Sequence, residues 1–102
     1  MSQNYTTIVP EDTGFAHTSA TANIAAGSVL AANPKRTYLN IQNTHATGTA
    51  YINLAGGTAS ATNGMHIAPG RDLPFPQGGA IPRVAINAAA SIDGVTLVIT
   101  EA

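Results

Sequence analysis

The sequence predicts an all-β fold: a single-domain antiparallel β-sandwich or jelly-roll-like barrel with an extended N-terminal arm. Short stretches of alternating apolar and polar residues recur along the chain, as expected of strands that bury one face. Turn-forming residues separate these stretches at intervals of about 8 to 12 residues, a spacing typical of sandwiches. The 102 residues suffice for one domain. We assign residues 1–14 to the arm and residues 15–102 to the β-sandwich domain.

Extended structure is predicted for the first third of the chain. Within the arm, residues 5–9 could form one short strand. The Ala-rich residues 15–36 could suggest a helix, but Gly27, Pro34 and two threonines oppose a helix and no helical apolar stripe is present. We therefore expect a strand at residues 28–32, followed by a turn at Asn33-Pro34-Lys35.

The clearest alternation lies between residues 37 and 54. Leu39 and Ile41 point to one side of a predicted strand at residues 37–43, and Ile52 and Leu54 do so in a strand at residues 50–54. A short loop joins the two segments. We therefore predict that they form an antiparallel hairpin whose outward face carries tyrosines and amides.

Shorter strands are predicted in the second half of the chain, at residues 65–67, 71–75, 83–87 and 95–100. Gly56-Gly57, Asn63-Gly64 and Asp93-Gly94 are expected turns, and Pro69-Gly70 suits the centre of a type II turn. The prolines and glycines of residues 74–79 predict a loop or an edge segment. The expected core consists of Leu39, Ile41, Ile52, Leu54, Ile67, Val84, Ile86, Val95, Leu97 and Ile99.

Charge is scarce throughout the chain. Charged residues make up 9% of the sequence, against about 25% in ordinary soluble domains, and residues 37–70 contain no Asp, Glu, Lys or Arg. Four scattered cations and a formal net charge of -1 argue against nucleic-acid binding. No apolar run approaches the length of about 18 residues that suggests a membrane span, and no signal peptide is indicated.

The residues that commonly carry chemistry are not grouped in any known motif. His17, His45 and His66 lack the spacing of metal ligands, so we expect hydrogen-bonded or solvated surface histidines. The few carboxylates do not suggest an acid and base pair, and no serine lies in a GxSxG motif. We expect no enzyme activity, no cofactor and no metal.

One long segment, "SVLAANPKRTYLNIQNTHATGTAYINLAGGTA", resembles a known class of proteins. The segment contains an Asn-Pro turn, the pattern Arg36-Thr37-x-Leu39-x-Ile41-x-Asn43 and the run Tyr51-Ile52-Asn53-Leu54. Further features follow it in the chain: Pro69-Gly70, Ile81-Pro82 and Val95-x-Leu97-x-Ile99-x-Glu101. Together these features resemble small all-β virion proteins of tailed bacteriophages, of the capsid decoration or cement type.

This resemblance implies a structural protein that is made in the host cytoplasm and binds the major capsid protein on the virion surface. The charge-poor sheet also suggests a homo-oligomer, because other chains can cover faces that lack protective charge. We expect a homotrimer, since icosahedral shells offer many local threefold positions. An alternative is a glycan-binding or host-binding module of a tail or fibre, in which Tyr38 and Tyr51 form a sugar-stacking platform. The candidate interface residues are Tyr5, Glu11, Asp12, Tyr38, Asn40, Gln42, Tyr51 and Asn53.

Overall fold

Two four-stranded antiparallel sheets pack against each other in the computed structural model, which describes residues 14–75 and 79–102. These residues contain strands and turns but no helix, so the predicted all-β sandwich is confirmed. The strands are β1 (Ala16–Ala22), β2 (Gly27–Leu30), β3 (Leu39–Asn43), β4 (Ala50–Asn53), β5 (Met65–Ile67), β6 (Asp72–Phe75), β7 (Ile86–Ala90) and β8 (Val95–Glu101). The predicted arm lies outside the described residues except for Gly14, as does its strand at residues 5–9.

The strand order in both sheets follows from one long ribbon of paired strands. Sheet A has the order β1-β8-β3-β6, and sheet B has the order β2-β7-β4-β5. One long antiparallel ribbon accounts for four of the strand pairs, with β1–β4 along one side and β5–β8 along the other. These pairs are β1 with β8, β2 with β7, β3 with β6, and β4 with β5. Two further pairs, β3 with β8 and β4 with β7, roll this ribbon into the two sheets.

Alternating side chains from both sheets form the core. Eight of the ten predicted core residues are buried, and Leu54 packs against them while half-buried. Val84 was wrongly predicted: it is 42% exposed, because β7 begins only at Ile86. Small side chains that the prediction did not include fill much of the remaining interior, among them Ala22, Ala50, Ala88 and Ala90.

The hairpin predicted for residues 37–54 does not form. β3 pairs with β6 and β8 in sheet A, whereas β4 pairs with β5 and β7 in sheet B. The link at residues 44–49 therefore crosses from one sheet to the other. Leu39 and Ile52 reach the same core from opposite sheets, because alternation marks a buried face but does not identify the neighbouring strand.

The predicted turns form as expected at three places. The Arg36 amide donates to the Asn33 carbonyl, and the Lys35 amide donates to Asn33 Oδ1, which closes the Asn-Pro turn. The Arg71 amide donates to the Ala68 carbonyl across Pro69-Gly70, and Gly70 has a φ of 76° as a type II turn requires. Gly94, with a φ of 83°, connects β7 to β8.

Strand boundaries differ from prediction mainly in β1, β2 and β7. β1 was expected only as extended chain, yet all seven of its residues pair with β8. The strand predicted at residues 28–32 begins and ends earlier, and the one predicted at residues 83–87 is shifted to Ile86–Ala90. β5 matches its prediction at residues 65–67.

Candidate interaction surface

The outward face of sheet A is a continuous polar surface with almost no charge. Its side chains alternate with the buried positions of β1, β8, β3 and β6 and line up in rows across the sheet. We call this surface the open face. It comprises the row His17, Thr100, Asn40 and Pro74, the row Ser19, Val98, Gln42 and Asp72, and the pair Thr21 and Thr96. Asp72, at the margin, is the only Asp, Glu, Lys or Arg in these rows.

Aromatic rings lie at one end of the open face. The rings of Phe15 and Tyr38 meet edge to face with their centroids 5.2 Å apart, a favourable arrangement. Phe15 is 56% exposed. Tyr38 is fixed through its backbone, which exchanges hydrogen bonds with Ala102. This end of the face therefore presents a large apolar surface beside the hydroxyl-rich rows.

The polar side chains of the first row differ in whether they have a hydrogen-bond partner. His17 Nδ1 and the Thr100 hydroxyl are hydrogen-bonded at 2.8 Å. Next to Thr100, Asn40 has a buried Oδ1 with no hydrogen-bond partner. Buried acceptors in folded proteins are nearly always paired, so this oxygen is an exception just beneath the open face.

The outward face of sheet B is covered by the chain itself. The β4–β5 connection, residues 54–64, folds back over it: the Ala59 amide donates to Asn87 Oδ1 at 2.8 Å, and His66 Nε2 donates to the Ala61 carbonyl at 2.7 Å. Ala59 is buried as a result. At the start of this connection, Asn53 Oδ1 accepts hydrogen bonds from two backbone amides. The two outward faces of the sandwich thus differ, and only that of sheet A lacks such a cover among the described residues.

The structure separates the predicted interface residues into two groups. Tyr38, Asn40 and Gln42 lie together on the open face. Tyr51 and Asn53 belong to sheet B, where Tyr51 packs on the His66 ring at 4.7 Å and Asn53 is buried. The platform expected from Tyr38 and Tyr51 does not form, because they lie on different sheets. The other three candidates, Tyr5, Glu11 and Asp12, lie outside the described residues.

An ion pair between a buried arginine and a partly exposed glutamate fixes the end of the sandwich near the aromatic rings, and the sequence did not predict it. The Arg36 side chain is completely buried, and its Nε donates to Glu101 Oε2 at 2.8 Å. Its Nη atoms donate to the carbonyls of Ala31 and Pro82. If the alternation of buried and outward residues in β3 continued backwards from Leu39, Arg36 would point outward. Arg36 precedes β3, however, so this alternation does not apply to it.

The three histidines serve the local structure. His17 binds Thr100, His66 binds the Ala61 carbonyl, and His45 Nδ1 accepts hydrogen bonds from the amides of two residues in its own loop. The prediction of hydrogen-bonded histidines is therefore confirmed. Within residues 14–75 and 79–102, no three His, Asp or Glu side chains are grouped as metal ligands. No helix in this part of the chain is long and apolar enough to cross a membrane.

Comparisons of the chain with protein-family models, with curated proteins and with solved structures find no match. The chemistry of the open face is therefore the basis for assigning a function.

Proposed function

We propose that the chain is a structural virion protein of the capsid decoration or cement type, which binds the outside of a tailed-phage head and bridges neighbouring capsid subunits. The observation that carries this proposal is the open face, a whole sheet surface of hydroxyls, amides and methyl groups with one charge at its margin. The centres of protein interfaces are depleted in charged residues. Covering such a surface removes few charges from water, so the large cost of burying unpaired charges does not oppose the contact.

The strand order supports the same proposal at the level of fold. A ribbon that pairs β1 with β8 and β4 with β5, rolled into sheets of order β1-β8-β3-β6 and β2-β7-β4-β5, is what we expect of a jelly roll. Jelly rolls are frequent in viral capsid and lectin domains. Because one fold can host many functions, the strand order adds weight to the assignment without carrying it.

A homotrimer on the virion capsid surface is the form of the protein that we propose. Cyclic symmetry closes contacts that would otherwise continue without end along exposed sheets. The preference for three copies and for the major capsid protein as partner rests on the resemblance of residues 28–102 to phage decoration proteins. In this proposal the arm, residues 1–14, also reaches toward a neighbouring subunit, and its ordering is offset by the contact it makes.

A pair of lysine variants tests the role of the open face. Gln42→Lys places a charge in the middle of the face beside Asp72, its cross-strand neighbour, where an opposite charge should not disturb the sheet. Thr62→Lys adds the same charge to the exposed loop over sheet B. In sedimentation with heads that lack the protein, we expect Gln42→Lys to bind at least tenfold more weakly than wild type and Thr62→Lys to bind like wild type. Equal binding of all three proteins would contradict the proposal.

A glycan-binding module of a tail or fibre is the second candidate, and specific features of the open face favour it. The exposed Phe15 ring and the half-buried Tyr38 ring offer an apolar surface for a sugar ring, and the neighbouring hydroxyl-rich rows offer hydrogen-bond partners for its hydroxyls. Titration calorimetry against a panel of host-surface glycans separates the two functions. Saturable binding that is lost in Tyr38→Ala, combined with no binding to heads, would favour the glycan module.

A further inference from the structure

The two sheets formed by the described residues have four edges, and three of these edges carry features that hinder the addition of another strand. The β6 edge contains Asp72 and Pro74, a charge and a residue without an amide hydrogen. β2 has four residues, and its register with β7 is interrupted between Ser28 and Leu30. β5 has only three residues. Short length, an irregular register, proline and charge are the usual means by which proteins protect exposed edges.

The fourth edge, β1, has none of these features. Its seven residues, Ala-His-Thr-Ser-Ala-Thr-Ala, include no proline and no Asp, Glu, Lys or Arg. Every residue pairs with β8 in an uninterrupted register from Ala16 to Ala22, so the strand is regular. Its other side has no strand partner among the described residues. This edge is therefore suited to the addition of a strand through backbone hydrogen bonds.

We infer that residues 5–9 of a neighbouring copy of this chain add to this edge of β1. This segment, Tyr-Thr-Thr-Ile-Val, consists entirely of residue types enriched in strands, and like β1 it carries no charge. The described part of the chain begins at Gly14, two residues before β1, so this segment is joined to the sandwich at the start of β1. Pro10 follows it directly and does not favour further pairing.

A neighbouring copy, rather than the same chain, is the donor, because only a second molecule can cover the new edge that the added strand creates. If the segment folded back on its own β1, the added strand would be a new edge, again without charge or proline. The linker, residues 10–15, spans at most about 20 Å when fully extended. A donor copy must therefore lie directly beside the accepting β1, where its body can cover the added strand and part of the open face.

The donor segment and the β1 edge are different surfaces, so each copy can donate to the next and close a ring, as the proposed trimer requires. The inference rests on the homo-oligomer of the proposed function but not on its attachment to a virion. The two can therefore fail separately.

Disulfide trapping tests the inference cleanly, because the chain contains no cysteine. One protein carries Ser19→Cys, in the middle of β1, and a set of partner proteins carries Cys at one of positions 5 to 9. Each pair is unfolded, refolded together and oxidised mildly. Since each protein has a single Cys, a cross-link between position 19 and the arm must join two copies. A matched pair replaces Ser19→Cys with Thr62→Cys, on the loop over sheet B.

We expect mass spectrometry to find that one arm position dominates the cross-links from position 19, with yields at least tenfold lower at the positions directly before and after it. Neighbouring residues of a strand face opposite sides, and a disulfide requires Cβ atoms about 3.5 to 4.5 Å apart. We expect Thr62→Cys to give little cross-linking at any arm position. Equal yields at all arm positions, or equal yields from positions 19 and 62, would overturn the inference. It would also be overturned if single-Cys pairs gave no cross-link while the Thr7→Cys/Ser19→Cys chain formed an internal disulfide.

Discussion

The Arg36 guanidinium, completely buried, donates a 2.8 Å hydrogen bond from Nε to Oε2 of Glu101. Its other nitrogens donate to carbonyls on the segment after β2 and on the segment before β7, at Ala31 and Pro82. One side chain therefore connects three parts of the chain that are distant in sequence. All of its main partners are acceptors, so the charge is compensated within the fold.

Removal of this cation should destabilise the fold strongly. In Arg36→Met, Glu101 loses its ion-pair partner and two carbonyls lose their donor, so we expect the free energy of unfolding to fall by about 3 kcal/mol. Lys35→Met is the matched control: the side chain is exposed, and the change should be below about 0.5 kcal/mol. Urea unfolding followed by circular dichroism measures both. Similar stabilities of the two variants would contradict the structural role of Arg36.

A buried amide should make a comparable but smaller contribution. Asn43 donates from Nδ2 to the carbonyls of Gly48 and Ile67, and its Oδ1 accepts from the His45 amide. Asn43→Ala leaves these groups without their partner, so we expect a loss of about 1 to 3 kcal/mol in unfolding free energy. Gln42→Ala, at the exposed neighbouring position, should be nearly neutral. Equal midpoints in a urea titration would show that the link from β3 to β4 does not depend on this side chain.

Truncation to alanine should have different effects on stability at two residues that the sequence predicted in the core. Ile41 is completely buried, and Ile41→Ala should cost about 2 to 5 kcal/mol of unfolding free energy. Val84 is 42% exposed, and Val84→Ala should cost below about 0.5 kcal/mol. Thermal unfolding by calorimetry compares the two directly. A large loss in Val84→Ala would mean that this valine lies inside the core, as the sequence first suggested.

The turn between β5 and β6 gives a backbone test. Gly70 has a φ of 76°, and a Cβ added there would meet no atom within 4 Å, so only the backbone conformation opposes a side chain. We expect Gly70→Ala to lower the unfolding free energy by about 1 to 2 kcal/mol. Gly27 has equal space but lies outside the positive-φ region, and Gly27→Ala should not be destabilising. Equal losses in both variants, measured by urea unfolding, would contradict a left-handed Gly70.

The alternation of apolar and polar residues predicted the strands, and glycines and prolines predicted the turns. Neither pattern predicted which strands pair. Leu39, Ile41 and Ile52 were correctly expected in the core, because alternation reports burial directly. The hairpin of residues 37–54 was wrong because a six-residue link can join two strands of one sheet or cross between sheets, and alternation is the same in both cases. Long-range pairs such as β1 with β8 have no local signal at all.

The candidate site was predictable only in part, for similar reasons. Tyr38, Asn40 and Gln42 share a face because they alternate with buried residues of one strand. Tyr51 and Asn53 follow the same pattern but in the other sheet, and residues 54–64 cover that face through contacts such as that of Ala59 with Asn87. These contacts arise from tertiary folding, so composition and periodicity could not distinguish an open face from a covered one.

The thermal stability of the particle tests the central claim most directly. Heads that lack the protein are mixed with the purified chain, and the temperature at which the shell comes apart is measured by light scattering, with unmixed heads as the reference. A protein that bridges neighbouring subunits should raise this temperature by several degrees, with the increase reaching a plateau as sites on the shell fill. If heads with and without the added chain come apart at the same temperature, the chain is not a cement protein.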